Sequence, residues 1–270
     1  MSFTAPNQFS NLNKKHFNKI ALIDADQLKH LVAYNIYTYL GQNYPRAEIQ
    51  INDLIDDRLN SIFNQFTCKA FVFIFSGPSS ATFRNSVSIC KKYKGNRQDS
   101  TYYEGKIEDM AYVVKYIQSQ YPTLIYPTLE ADDILSMLQC EETFILSNDK
   151  DLKQVPGFHF DIYKQDLIEI KPEEALRTLA IQLLTGDSTD NIPGLPGYGA
   201  VKAEKVLKDV KIKSCIQAVQ HEYNKVYGIT AGTDAFVESW NLIKLRLNRG
   251  DHFREKYKEA FELLEILKKQ

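Results

Sequence analysis

The sequence predicts an α/β fold with a mostly parallel central sheet, helices on both of its faces and a helical subdomain towards the C-terminal end. The first half of the 270-residue chain alternates short apolar runs with segments of helical periodicity, a pattern typical of parallel strands joined by crossover helices. After about Pro172 helical segments dominate. A chain of this length can bury a sizeable core without disulfide bonds.

The predicted strands are the short apolar runs Ile20–Ile23, Ala70–Phe75, Leu124–Tyr126 and Thr143–Leu146. Apolar residues at helical spacing predict helices at Gln27–Leu40, Ile51–Phe66, Ile107–Tyr121, Ala131–Leu138, Glu173–Leu184, Ala200–Leu207, Ser214–Val226, Asp234–Leu247 and Phe253–Leu267. The Gly- and Pro-rich segment Gly186–Ala200 is expected to be neither helix nor strand. We expect a core domain over residues 1–185, with a polar clamp at 81–106, and a helical subdomain over residues 186–270.

The composition excludes several classes of protein. The chain is 44% hydrophobic and 25% charged, which is ordinary for a globular protein, and its net charge of -1 gives no indication of nucleic-acid binding. The four cysteines have no close pairing, which favours a reduced, cytoplasmic protein. The polar N-terminal segment lacks the apolar stretch of a secretory signal, and no apolar run reaches the roughly 20 residues of a membrane helix.

Acidic residues follow three of the predicted strands. Asp24 ends the first strand. The strands at 124–126 and 143–146 are followed by Glu130, Asp132 and Asp133, and by Asp149 and Asp151. Ligands of an open parallel sheet bind beyond the carboxyl ends of its strands, so these acids should converge on one crevice. Carboxylates brought together repel one another unless a cation neutralises them, and oxygen ligands favour Mg²⁺ or Mn²⁺.

Each acidic cluster also has a purely structural interpretation. Asp24 alone suits a turn or a helix cap, residues 130–133 suit the first turn of a helix, and residues 149–151 suit a solvated turn. Asp187 and Asp190 could also cap turns. An EF-hand calcium loop beginning at Asp149 is excluded, because its sixth and twelfth positions hold glutamine and phenylalanine rather than glycine and glutamate. The joint occurrence of acids at several strand ends favours a metal site.

Two further segments have the composition of phosphate-binding regions. Residues 81–98 contain aromatic residues, Phe83 and Tyr93, and five basic residues but no acid; the basic residues are Arg84, Lys91, Lys92, Lys94 and Arg97. Basic side chains contact phosphates and aromatic rings stack on bases, with a solvated loop as the alternative. The other segment contains Gly194, Gly197 and Gly199, followed by Lys202, Lys205 and Lys208. Its glycines and helix N-terminus would admit a phosphate, with a helix-turn-helix packing element as the alternative.

These segments together resemble the 5′-nucleases of bacteriophages and of bacterial DNA polymerases, which are relatives of eukaryotic flap endonucleases. The resemblance extends from about Lys19 to Leu247. The matching motifs are LID at 22–24, FR at 83–84, YKGNR at 93–97, EADD at 130–133, SNDKD at 147–151 and GDSTDNIPGLPGYG at 186–199.

The resemblance implies a role for each motif. Its metal-binding acids would be Asp24, Glu130, Asp132, Asp133, Asp149, Asp151, Asp187 and Asp190. Its basic active-site residues would include Arg84, Lys94 and Arg97 in a helical arch over the 5′ strand, with Tyr93 at a stacking position. Residues 194–205 would form a helix–two-turn–helix that grips duplex DNA, often with K⁺. The implied reaction is phosphodiester hydrolysis with two divalent ions, in which Mg²⁺ can be replaced by Mn²⁺.

One position departs from the family pattern. The family usually has aspartate at the end of the second strand, where this sequence has Ser76. Serine supplies no charge, so we expect one metal site to be held less tightly. Asp26 either compensates in part or caps the helix that follows it.

The sequence therefore predicts a stand-alone 5′–3′ exonuclease and flap endonuclease of the kind that phages encode. Its expected substrate is DNA with a 5′ flap or 5′ end, or an RNA–DNA primer duplex. The expected protein is a monomer in the cytoplasm that acts beside replication proteins. Two alternatives remain at this point: a catalytically weak branched-DNA-binding protein, and a small-molecule metal phosphatase. The clamp and the segment 194–205 argue against the second alternative, because a small substrate needs neither.

Overall fold

A six-stranded sheet forms the centre of the computed structural model, which describes residues 15–40, 48–97, 105–161, 165–246 and 251–269. The sheet order is β5-β4-β2-β6-β7-β8, made of β2 (Ile20–Asp24), β4 (Ala70–Ser76), β5 (Thr123–Tyr126), β6 (Thr143–Leu146), β7 (Gly157–Asp161) and β8 (Asp166–Ile170). All neighbours are parallel except β7 and β8. A separate parallel pair joins β1 (Lys15–His16) to β3 (Phe66–Thr67). The predicted mostly parallel sheet is confirmed.

The strand register brings the carboxyl ends of the central strands to one edge. Ile20 of β2 lies opposite Ala70 of β4 and Thr143 of β6, and Asp24 lies opposite Ile74. Because these strands are parallel, whatever follows each of them lies at the same edge of the sheet.

Helices cover both faces of the sheet, as predicted. Alternate strand residues such as Ile23 and Phe73 pack against α1 (Ala25–Leu40), α2 (Glu48–Phe63) and α4 (Lys106–Gln120). The residues between them, such as Leu22 and Val72, pack against α5 (Ala131–Leu138) and α11 (Lys258–Lys268). This alternation places apolar side chains on both faces of the central strands.

A third hydrophobic cluster joins α6 (Pro172–Thr185), α7 (Ala200–Leu207), α8 (Cys215–Tyr227) and α9 (Ile229–Ile243). The short strands β9 (Gly186–Asp187) and β10 (Ile192–Pro193) pair between α6 and α7. Packing crosses the predicted domain boundary at residues 185 and 186, because α6 belongs to this cluster and α11 packs on the sheet. The two-domain division therefore stays a prediction.

Several elements differ from the sequence-based expectations. The β7–β8 hairpin and the β9–β10 pair were not expected. Helix α9 runs from Ile229 to Ile243, whereas Asp234–Leu247 was predicted, and Tyr257 separates α10 (Asp251–Lys256) from α11. A 3₁₀ turn, Ser79–Ala81, leads into the clamp, and the described part of the clamp contains α3 (Arg84–Val87). Residues 98–104 of the clamp lie outside the described ranges, as does Leu247.

The four cysteines are all free. Within the described ranges, no helix has the length and apolar character that a membrane span requires.

Candidate active site

Three of the predicted acids form a first group at the strand ends. Asp24 is the last residue of β2, Asp132 lies in the first turn of α5, and Asp149 follows β6. Burial, followed by the charges of Asp26 and Asp149, raises the pKa of Asp24 to about 6, although a hydrogen bond from Ser147 opposes the rise. Burial and the charges of Asp24 and Asp149 raise the pKa of Asp132 well above its usual range. Asp149 is therefore close enough to oppose the ionisation of Asp24 and of Asp132.

A second group pairs Asp151 with Asp187. Burial, followed by the charges of Asp149 and Asp187, raises the pKa of Asp151 to about 7. Burial also acts to raise the pKa of Asp187, but the Thr189 N–H and the charge of Lys150, together with hydrogen bonds from Asp151 and the Asp190 N–H, outweigh it, so the pKa is lowered. The two carboxyls hydrogen-bond to each other. Asp151 is therefore the carboxyl that holds a proton more readily, while Asp187 holds the negative charge.

Glu130 and Asp190 differ from these acids because basic residues neutralise them. The Lys94 ammonium contacts Glu130 and lies 3.7 Å from Asp190 Oδ2, and Arg97 donates to Asp190 Oδ1 at 2.5 Å. The Tyr93 hydroxyl lies 2.8 Å from Glu130 Oε2 and 2.7 Å from Asp190 Oδ2, so the two carboxylates compete for its single proton. The Tyr93 ring is buried in the third hydrophobic cluster, and this placement does not offer the ring for stacking on a base.

Arg84 and Asp133 form a buried ion pair behind Glu130. The guanidinium contacts both carboxylate oxygens of Asp133, at 2.6 and 3.0 Å, and Glu130 Oε2 at 2.8 Å. Arg84 Nε also donates to the Leu242 carbonyl oxygen at 2.8 Å, and the Arg246 N–H donates to Asp133 at 3.2 Å. Arg84 is 2% exposed and Asp133 is fully buried. The carboxylate of Asp133 is thus occupied by Arg84 and by the backbone, although it shares one Arg84 nitrogen with Glu130.

The strap, defined as residues 92–97, is fixed to the loop 187–191 through backbone groups. The Lys94 N–H donates to the Asp190 carbonyl oxygen at 2.8 Å, and the Asn191 side chain donates to a strap carbonyl oxygen at 2.9 Å. Lys94 and Asn191 both have positive φ, at 54° and 60°, a conformation uncommon for residues other than glycine. These contacts hold the strap's basic residues beside the acidic groups.

The first two acidic groups fit hard divalent cations. Their donors are carboxylate oxygens, which Mg²⁺ and Mn²⁺ prefer. Among the residues that the structure describes, no three His, Cys, Asp or Glu side chains are arranged as a ready-made metal-ligand cluster. Mg²⁺ usually keeps several water molecules and is bound through one or two carboxylates plus substrate phosphates. An open arrangement of acids therefore suits Mg²⁺ better than a metal that needs a complete cage of protein ligands.

The end of β4 carries Ser76 where the resemblance implies an aspartate, and Asp26 reaches this point from α1. Asp26 Oδ1 accepts the Ser76 N–H at 3.1 Å and lies 2.6 Å from Lys29 Nζ. Burial acts to raise the pKa of Asp26, but the charge of Lys29 and the hydrogen bonds from Lys29 and Ser76 together outweigh it, so the pKa is lowered. The Ser76 hydroxyl oxygen accepts the Ala131 N–H at 2.9 Å. A carboxylate is therefore present at this strand end, together with its own ammonium partner.

The glycines of the segment 194–199 have different surroundings. A Cβ on Gly194 would lie 2.2 Å from backbone atoms of Thr185, so close packing requires glycine there. Among the described atoms, nothing lies within 4 Å of a Cβ built on Gly197, whose φ is 74°, or on Gly199. These two glycines leave open space before α7, which carries two exposed lysines, Lys202 and Lys205.

A cavity of about 210 Å³ adjoins these groups, and two residues that sequence analysis did not single out line it, Gln154 and Gln182. The other lining residues include Arg84, Tyr93, Glu130, Asp132, Lys150, Asp151, Asp187 and Asp190. Gln182 donates a hydrogen bond to Asp151 Oδ1 at 2.6 Å. No sequence pattern distinguishes either glutamine from those on an ordinary helix surface.

Residues 19–179, more than half of the chain, match the family described as the 5′–3′ exonuclease, N-terminal resolvase-like domain. The chain belongs to this 5′–3′ exonuclease family. A 5′–3′ exonuclease of Buchnera aphidicola subsp. Acyrthosiphon pisum is 32% identical over 160 residues, which cover 52% of this chain and 54% of that protein. The enzyme of subsp. Schizaphis graminum is 30% identical over 203 residues, which cover 66% and 67%. The match thus spans about half of the first relative and about two thirds of the second.

Solved structures of 5′-nucleases share the fold of this exonuclease-family chain. A bacteriophage T5 flap endonuclease, in a pseudo-enzyme–product complex with DNA and metal ions, superposes with a TM-score of 0.63 at 15% identity, covering 94% of this chain and 100% of the other. T5 5′-exonuclease with bound zinc gives a TM-score of 0.62 at 13% identity, covering 94% and 97%. These similarities confirm the predicted fold.

Proposed function

We propose that this chain is a divalent-metal-dependent 5′–3′ exonuclease and flap endonuclease that hydrolyses phosphodiester bonds near the 5′ ends of DNA strands. One observation carries the proposal: two groups of closely spaced acids lie beside basic residues that include Lys94 and Arg97. Phosphodiester hydrolysis needs this combination, because cations gather at the acids while the basic side chains contact phosphate oxygens. Family membership and the fold shared with the T5 enzyme, which was crystallised with DNA and metal ions, support it.

The proposed ligands of one divalent ion are Asp24, Asp132 and Asp149, and those of a second are Asp149, Asp151 and Asp187. Mg²⁺ is the proposed ion, with Mn²⁺ as a substitute. These residues would hold two ions, which when bound would supply a lowered pKa of an attacking water and stabilisation of the leaving oxygen.

Lys94 and Arg97 exchange partners when the substrate enters, according to this proposal. They neutralise Glu130 and Asp190 in the structure, and a substrate phosphate competes for the same charges. The Lys94 ammonium then stabilises the negative charge that develops on the phosphate during hydrolysis. Arg84 and Asp133 position Glu130 and are proposed to contact no substrate, because their hydrogen-bonding groups already bind each other and the backbone.

The open approach at Gly197 and Gly199, with Lys202 and Lys205, is the proposed contact with duplex backbone. Exposed lysines next to a helix N-terminus suit phosphate binding. The family resemblance supports further proposals: a K⁺ ion at this turn, an RNA–DNA primer duplex as substrate, a monomeric state and replication partners. The flap is proposed to enter beside the strap.

The proposal is tested with a labelled 5′-flap duplex and a blunt duplex, each incubated with Mg²⁺, Mn²⁺ or EDTA. We expect cleavage near the 5′ end with either ion and no cleavage in EDTA. Asp132→Asn serves as the control for contaminating nucleases, because it removes an acid of the first group. Tight flap binding without cleavage under any metal condition would favour the DNA-binding alternative and contradict the proposal.

A further inference from the structure

We infer that Gln182 is a positioning residue for the carboxylate of Asp151 and that Gln154 fixes the orientation in which Gln182 acts. The inference rests on the proposed function, because Asp151 is a proposed metal ligand. It adds two neutral side chains to the site, and both lie outside the motifs assigned above to metal or DNA contacts.

Main-chain groups determine the orientation of the Gln154 amide. The Leu245 N–H donates to Gln154 Oε1 at 2.9 Å, and Gln154 Nε2 donates to the Ile243 carbonyl oxygen at 3.2 Å. A backbone N–H can only donate and a backbone carbonyl can only accept. Rotating the amide by half a turn would therefore place two donors against each other at one contact and two acceptors at the other. Gln154 is 6% exposed, so bulk water has little access to compensate.

The orientation of Gln182 follows from that of Gln154. Gln154 Nε2 also donates to Gln182 Oε1 at 3.2 Å, which leaves Gln182 Nε2 to donate to Asp151 Oδ1 at 2.6 Å. A reversed Gln182 amide would place its oxygen against a carboxylate oxygen and its N–H groups against a donor. The Leu245 N–H and the Ile243 carbonyl oxygen thus determine the orientation of Gln154. Through Gln154 they also determine that the amide N–H of Gln182 faces Asp151.

This donor matters because an aspartate carboxylate turns easily. Its terminal torsion is broad, so the partners of the carboxylate decide in which direction each of its oxygens points. A hydrogen bond from Gln182 to one oxygen restricts that rotation and so fixes the direction of the other oxygen, which remains for a cation. Hydrogen-bond partners of metal ligands typically change metal affinity by about 10–100-fold.

The decisive variant is Gln182→Met, which keeps the length of the side chain and removes the donor. Calorimetry with Mn²⁺ on the DNA-free protein should show an affinity at least about 10-fold lower than wild type. The Mn²⁺ concentration for half-maximal flap cleavage should rise by the same factor, while the rate at saturating Mn²⁺ and the affinity for the flap duplex in EDTA change little. The control is Gln217→Met, the same chemical change on an exposed position of α8.

Gln154→Met tests whether Gln154 affects Asp151 only through Gln182. If it does, the double variant Gln154→Met/Gln182→Met should bind Mn²⁺ no more weakly than Gln182→Met alone. Gln182 is partly exposed and its variant should fold normally, so the test does not depend on the buried Gln154. Wild-type Mn²⁺ affinity in Gln182→Met, or additive losses in the double variant, would overturn the inference. A wild-type protein that neither binds Mn²⁺ nor cleaves would instead reject the proposed function.

Discussion

Replacing Arg84 with methionine should destabilise the fold far more than replacing an exposed arginine. Arg84 and Asp133 have side chains that are 3% and 0% exposed, so solvent does not screen their interaction. Removing one partner of such a pair leaves an uncompensated buried charge, which costs about 3–5 kcal/mol. For a protein of this size, 1 kcal/mol corresponds to roughly 2–4 °C in Tm, so Arg84→Met should lower the Tm by on the order of 10 °C.

Thermal unfolding of three variants measures this effect. Arg177→Met is the matched control, because Arg177 also contacts a carboxylate, that of Glu204, and a carbonyl oxygen. The side chains of Arg177 and Glu204 are 32% and 53% exposed. The free energy of unfolding should therefore fall by about 1 kcal/mol or less in Arg177→Met. Arg84→Met combined with Asp133→Leu should recover most of the stability, since both buried charges are gone. A Tm for Arg84→Met equal to that of Arg177→Met would refute the reasoning.

Three further predictions concern the acids and their partners. Asp132→Asn and Asp149→Asn should each lower flap cleavage by orders of magnitude and leave flap binding unchanged or tighter, because a repulsive charge is lost; near-wild-type cleavage would reject the assignment of that acid. Lys94→Met should slow single-turnover cleavage but raise the Mn²⁺ affinity of the DNA-free protein in calorimetry, because a positive charge beside the acids is removed; a lower affinity would contradict this effect of the Lys94 charge. Ser76→Asp should leave the Mg²⁺ concentration needed for half-maximal cleavage unchanged or higher, because the Asp26 carboxylate already lies at the end of β4. Asp26→Asn should raise that concentration. A lower Mg²⁺ requirement in Ser76→Asp would show that the strand end lacks an acid.

Strands and helices with strong local patterns were predictable from the sequence. Ala131–Leu138 and Thr143–Leu146 have the bounds that were predicted, because burial of apolar residues at a regular period dominates there. The start of α9 was missed, since glycine and threonine in residues 228–233 favour a loop. A Cβ on Gly232 would lie 2.6 Å from Asn224 Cα, so the glycine serves the close contact of α8 with α9, and tertiary packing overrides its low helix propensity.

The candidate acids were predictable, but their partners were not. Acids at strand ends follow from the order of the elements along the chain. Which acid is neutralised depends on contacts between distant segments, such as Arg84 with Asp133 and Arg97 with Asp190. The Asp26–Lys29 pair is local, because the two residues lie one helical turn apart, but its position beside Ser76 at the end of β4 depends on the three-dimensional structure. The Gln182 contact with Asp151 depends on it as well.

Residues 242–246, which form the end of α9 and the segment directly after it, bind the core through their backbone. Arg84 and Gln154 contact carbonyl oxygens there, and Gln154 and Asp133 accept N–H groups. Inserting one residue would displace each later group by roughly 3.3–3.6 Å, beyond the distance range of a hydrogen bond. Chain length is therefore constrained at this junction independently of side-chain identity. A peptide tag or a reporter domain inserted there should disconnect the helices around α9 from the acids at the sheet edge, even if every original side chain is kept.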